Sequence, residues 1–188
     1  MSRHSQIISR RLFVAGALAS TTAACGNGIG GSGAAKIDAR VDSSLAGLHS
    51  RYPATLDLKN KSAGMLVMPL ITKAGFGFGG AFGRGALRVN DVTVDYYSSA
   101  AASVGLQIGA QQFSHVLYFM TPESLQDFRG SSGWAAGGDL EYALNDQGGN
   151  VSAETTTALA PVIAVIYGQA GLLVGATLEG TKYTRIIP

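Results

Sequence analysis

The sequence predicts an α+β fold: a mainly antiparallel, strongly curved or barrel-like β-sheet, with an N-terminal amphipathic helix and a short inserted helix. Three observations predict it. The apolar period is three to four over Ile37–Tyr52 and two from Gly64 onward. There are 26 glycines in 188 residues, which favours tight turns and bulges over long helices. Thr121-Pro122-Glu123 carries helix-start chemistry in the middle of strand-like sequence. An apolar content of 46% with 14% charge excludes a disordered chain, and the length suits one domain.

The chain divides into three parts: residues 1–24, 25–36 and 37–188. The first reads as a cleaved export signal. Residues 1–11 are basic, and Leu12–Ala24 is a mild apolar stretch, too short for a spanning helix of about 20 residues. Ser9-Arg10-Arg11-Leu12-Phe13-Val14 resembles the twin-arginine export motif, with Arg10 and Arg11 as its signature; a Sec signal with two adjacent arginines is the alternative. Thr22-Ala23-Ala24-Cys25 resembles a lipobox, with Thr22 where leucine is preferred. Cys25 would then be the lipid anchor, carrying acyl chains of the palmitate class. Simple secretion, with cleavage nearby by signal peptidase I, is the alternative. Gly26 after the cysteine, in place of aspartate, resembles lipoproteins sent on to an outer membrane. Residues 25–36 are Gly-rich and read as a tether.

Charge follows the same division. The formal net charge is +2, yet Arg3, Arg10 and Arg11 fall within residues 1–24. Their removal leaves 11 basic against 12 acidic residues, so nucleic acid is not an expected partner. A single cysteine excludes an intramolecular disulfide framework and a multi-thiolate zinc site.

In the domain, Ile37, Val41, Leu45, Leu48 and Tyr52 fall on one stripe of a helix that Pro53 stops. Such a stripe docks on a core or faces a membrane. A shorter helix is expected over Ala54–Lys61. Met65–Ile71 reads as a strand that Pro69 places at an edge or bulge. Phe76–Val89, Asn90-Asp91 and Val92–Tyr97 read as a hairpin. Gly105–Met120 reads as a long strand, bulged at a glycine. A helix begins at Pro122 and ends at Gly130. Trp134–Leu144 alternates as a strand. Leu159–Leu178 is apolar enough to raise a transmembrane reading, but its Pro, Gly and β-branched content fits two buried strands joined at Tyr167–Gly171. A last strand, Lys182–Ile187, is expected to pair back across Gly180.

Chemical motifs are sparse. Gly75–Gly80 satisfies G-x-G-x-x-G, but strand-like sequence follows where a dinucleotide site needs a helix. No G-x-S-x-G elbow is present, and His115 sits in an apolar run where a structural histidine is expected. Asp139 and Glu141 lie two apart on a strand and could share a hard cation, although two carboxylates fall short of a calcium loop. No cofactor and no enzymatic activity are expected.

Four segments together resemble the SYLF domain family: Gly79–Gly85, Ser103–Gln111, Phe119–Thr121 continuing to Phe128–Trp134, and Gly171–Leu173 leading to Leu178–Lys182. The resemblance covers about residues 37–188. It implies a β-rich domain that binds phospholipid and whose eukaryotic members recognise phosphoinositides through an N-terminal amphipathic helix and act in actin-patch organisation. That headgroup and actin specificity is not expected to transfer to a chain with bacterial export signals. On this resemblance, lipid contacts are assigned to the stripe Ile37, Val41, Leu45, Leu48 and Tyr52 and to Lys59, Lys61, Arg84, Lys182 and Arg185. Lys182 and Arg185 lie on opposite faces of a regular strand. The expected role is a membrane-tethered, phospholipid-binding module of the cell envelope, at the outer membrane facing periplasm or cell surface. The alternative is an envelope lipoprotein that binds an as yet unknown protein and no lipid beyond its anchor.

Overall fold

The computed structural model describes residues 32–137, 140–142, 160–168, 171–172 and 178–188. Arg10, Arg11 and Cys25 lie outside them. Helix α1 spans Gly33–Arg51 and α2 spans Ala54–Lys61. α1 thus starts four residues before Ile37, inside the stretch expected to be tether. Gly33-Ala34-Ala35-Lys36 is helical because Ala and Lys are good helix formers and the docked turns beyond it supply the nucleus.

One long hairpin dominates the domain. β1 runs over Gly64–Val89 and β2 over Val92–Phe119, paired antiparallel from Val89↔Val92 to Gly64↔Phe119. Asn90 and Asp91 both have positive φ, 50° and 64°, as a two-residue type I′ turn requires. The pieces read separately as Met65–Ile71 and Phe76–Val89 are one continuous strand. Register shifts at Met68/Ile71, Gly75/Gly77 and Leu87/Arg88 bend it. Pro69 lies in the first of these, where its missing N–H costs no ladder bond.

The bends fold the hairpin over itself. One half of β2, Ser114–Phe119, pairs with β5 (Val162–Gly168); the other half, Tyr96–Ala100, pairs with β7 (Lys182–Ile186). The inward faces of the two halves meet. A side chain at Gly83 would strike Ile71 and the Leu70 carbonyl, and one at Gly85 would strike the Val67 carbonyl. Those two glycines therefore let β1 cross itself at backbone contact.

β3 (Trp134–Ala135) pairs with β7, whereas β4 (Leu140–Tyr142) runs parallel to β5. The single strand expected over Trp134–Leu144 is thus two short strands with different partners. β6 (Gly171–Leu172) turns back on β5 through Gly168↔Gly171, the hairpin expected there. The last strand ends at Ile186, and its described partners are β2 and β3 rather than a strand just before Gly180. Gly180 supplies a turn at φ 75°.

Two cores result. The interior core holds Leu66, Met68, Leu87, Tyr97, Leu117, Phe119, Ile166 and Tyr183. Helix α3 (Pro122–Gly130) plugs it with Phe128, whose ring lies 4.7 Å from Tyr97 and 4.8 Å from Phe119. Thr121 caps α3 as expected, its Oγ1 accepting from the Ser124 N–H. The outer core lies beneath α1 and α2, where Ile37, Val41, Leu48 and Leu58 cover Met65, Val67, Val116, Tyr118 and Ile163. No helix among the described residues is long and apolar enough to cross a membrane.

Candidate functional site

Beyond Ala86 the outer face of β1 is not covered by α1. There the two-residue period turns Phe82 and Arg84 outward while Gly83 and Gly85 face the crossing. The first turns of α1 run alongside and contribute Lys36 and Arg40, four apart and therefore on one flank. The β1 bulge adds Leu70. These residues, with Ile37 and Thr72, enclose a groove of about 320 Å³. Phe82 is 52% exposed and Leu70 is 37% exposed, both large apolar side chains in water. No carboxylate lines the groove. The ion pairs among the described residues involve Lys59, Arg88, Arg129 and Arg185, and none involves Lys36, Arg40 or Arg84.

The ladder extends this surface. Phe82 pairs with Ala100 and Ala100 with Lys182; Arg84 pairs with Ser98 and Ser98 with Thr184. Directly opposed residues share a face, so Lys182 stands on the same side as Phe82 and Arg84. The Lys182 stem lies across Gly133, where a Cβ would come within 2.5 Å of its Cε.

The remaining residues assigned from the sequence do not gather here. Lys59 pairs with Asp91 of the hairpin turn at 2.7 Å, and Lys61 ends α2. Arg185 lies on the opposite face from Lys182, as expected. It shares the Asp95 carboxylate with Arg129, at 2.9 and 3.2 Å. The stripe is turned toward the sheet: Val41 and Leu48 are fully buried, Ile37 nearly so, and Leu45 and Tyr52 pack partly buried against the same core. Lys36, Arg40 and Phe82 were not singled out as site residues. The i, i+4 cation pair and the Phe82–Arg84 alternation were the available signals.

A polar clasp holds α1 down. Asp38 accepts hydrogen bonds from Thr93 Oγ1 at 2.8 Å and Tyr96 Oη at 2.7 Å. Burial, followed by that bond, pushes the Tyr96 hydroxyl up to about 12. Arg88 donates to Asp42 at 2.7 Å.

Catalytic machinery is not assembled among the described residues. No group of three or more His, Cys, Asp or Glu side chains gathers there. His115 is fully enclosed and its Nε2 meets the Tyr183 hydroxyl at 2.8 Å. Burial pushes its pKa down to about 3, so it stays neutral. Gly75–Gly80 lies inside β1, with no helix after it to receive a pyrophosphate. Asp139 lies outside the described residues; Glu141 is in β4, and its side chain is not among those described.

This is a curved α+β sheet domain with an exposed cationic and aromatic face. Residues 100–185 match the Ysc84 family, described as "Las17-binding protein actin regulator". The chain thus carries a SYLF/Ysc84-like domain over just under half of its length, from Ala100 in β2 to Arg185 in β7. No curated protein matches the chain.

Proposed function

We propose that this protein is a non-catalytic, membrane-tethered module of the bacterial cell envelope that binds anionic phospholipid through the groove at the start of α1. The observation that carries it is Lys36, Arg40 and Arg84 around the exposed ring of Phe82, with no carboxylate among them. Cations attract anionic headgroups, and an exposed aromatic ring inserts at the headgroup level. Lys182 widens the same face. The lipid association of SYLF-like domains supports the reading.

Position supports it too. Seven residues separate Cys25 from Gly33, and a Gly/Ser-rich segment of that length would span roughly 15 Å r.m.s.. Acylation of Cys25 after export under the Arg10-Arg11 signal would hold this groove against an outer-membrane leaflet. The stripe Ile37–Tyr52 then serves chiefly to seat α1 on the sheet, and Ile37, which also lines the groove, is its point of lipid contact.

Vesicle co-sedimentation of the full chain carrying Cys25→Ser tests this. Binding to vesicles rich in anionic lipid and not to neutral vesicles is expected; no binding to any composition overturns it. The Ysc84 description names a protein ligand for that family, so a protein of the envelope is the second reading. It gains if cross-linking at Phe82 captures one protein from a vesicle-inert domain.

A further inference from the structure

On the far side of Leu70 from the cationic groove lies a second pocket, of about 250 Å³. It is bounded by the C-terminal half of α1, the Pro69–Leu70 bulge, Gln112–Ser114 of β2 and Tyr167–Gly168 of β5. Its volume falls just below the range of about 300–1,000 Å³ usual for drug-sized ligands, so it suits a molecule of a few carbons.

Its lining is chemically specific. Ser43, Ser44, Ser114 and Tyr167 contribute hydroxyls, Gln112 an amide and Arg51 a guanidinium, and no carboxylate is present. Tyr167 Oη and Ser44 Oγ are 2.7 Å apart, and Ser114 donates to the Pro69 carbonyl at 2.7 Å. The hydroxyls are thereby held at fixed positions while keeping lone pairs for a ligand's donors. Arg51 reaches the Gly168 carbonyl at 3.4 Å, which places its planar fork at the rim. The rings of Phe113 and Tyr52 and the Leu70 side chain provide apolar walls.

Gly47 is an independent observation. It occupies the interior of α1, where glycine costs about 1 kcal/mol relative to alanine. Nothing in the packing requires it: a Cβ there meets no atom within 4 Å. The space it leaves is the wall of this pocket.

We infer that this pocket binds a small phosphate ester bearing free hydroxyls, the ester on Arg51 and the hydroxyls on the Ser44–Tyr167–Ser114 group. The ligand is either a free polyol phosphate or the headgroup of a glycerol-bearing lipid. The inference does not depend on the cationic groove binding membranes.

The test titrates the full chain, in neutral detergent, with glycerol 3-phosphate, inorganic phosphate and glycerol, following the amide resonances of Gly47 and Gly168. Saturable shifts are expected with glycerol 3-phosphate, and affinity at least about tenfold below it for the other two. Gly47→Leu fills the pocket and is expected to abolish the shift at Gly168 while raising Tm, so loss of binding is separable from loss of fold. Arg51→Gln is expected to weaken binding about tenfold or more. A preference for phosphatidylglycerol over phosphatidic acid vesicles that Gly47→Leu removes identifies the lipid headgroup; saturable glycerol 3-phosphate binding without that preference identifies the free ester. No shift with glycerol 3-phosphate, or one that Gly47→Leu leaves intact, overturns the inference, and vesicle binding through Arg84 would survive that result.

Discussion

The hydroxyl of Tyr183 and Nε2 of His115 meet 2.8 Å apart inside the curved sheet, tying β7 to the opposite half of β2. β7 pairs with the Tyr96–Ala100 part of β2, whereas His115 stands in the part of β2 that pairs with β5. The bond therefore spans the interior rather than a ladder.

The burial of His115 has a pH consequence. His115 titrates near 3 in the fold and near 6.5 when unfolded, so below 6.5 the unfolded chain takes up a proton that the fold refuses. Stability from this site is full above pH 6.5 and falls toward pH 3, by about 1.4 kcal/mol per pH unit at most. His49, also held low by burial and then by Lys59, acts in the same direction. Thermal melts from pH 7 to 4 are expected to show a falling Tm. His115→Gln should flatten the slope without abolishing it; an unchanged slope would show that His115 does not set it.

Asp38→Ala removes the acceptor of both Thr93 and Tyr96 and leaves those groups under α1 without it. A loss of about 1–3 kcal/mol is expected. Hydrogen exchange should quicken in α1 more than in β5, because the clasp holds the helix and not the sheet.

Charge reversal at Lys36, Arg40 and Arg84 removes three cations, each contributing about 1 kcal/mol near an anionic surface. Affinity for anionic vesicles should fall at least about a hundredfold, while Tm stays within about two degrees. Phe82→Ser should weaken binding that persists at high salt. Equal loss on reversing Lys59 and Lys61 instead would place the contact at the hairpin turn.

Gly85→Ala drives a methyl group into the Val67 carbonyl where β1 crosses itself. Destabilisation of about 1–3 kcal/mol or more is expected. Gly130→Ala, whose added atom meets nothing, serves as the control and should be near neutral.

Local chemistry made much of the fold legible. Asn90-Asp91 marked its turn, Thr121-Pro122 its helix start, and the Ile37–Tyr52 stripe its buried face, because each depends on neighbours a few residues away. What escaped depends on distant partners. Nothing near Trp134 tells that Ala135 will pair with Lys182 while Leu140 pairs with Val162. The site escaped for the same reason. Lys36 and Phe82 are 46 positions apart, and only the crossing of β1 over its own start brings both beside Leu70.

The two-residue turn at Asn90-Asp91 bears on how the chain folds. From Val89↔Val92 each successive pair of the longest ladder closes on one already formed, so none must meet a fresh loop-closure cost. Hairpins of this kind form in about 1–10 μs. β5 and β7 must instead find β2 across long separations, such as Tyr97 with Arg185, and such non-local searches are slow. The rate-limiting event should therefore be the docking of the C-terminal strands onto a hairpin that has already zipped, and truncations within residues 160–186 should trap it there.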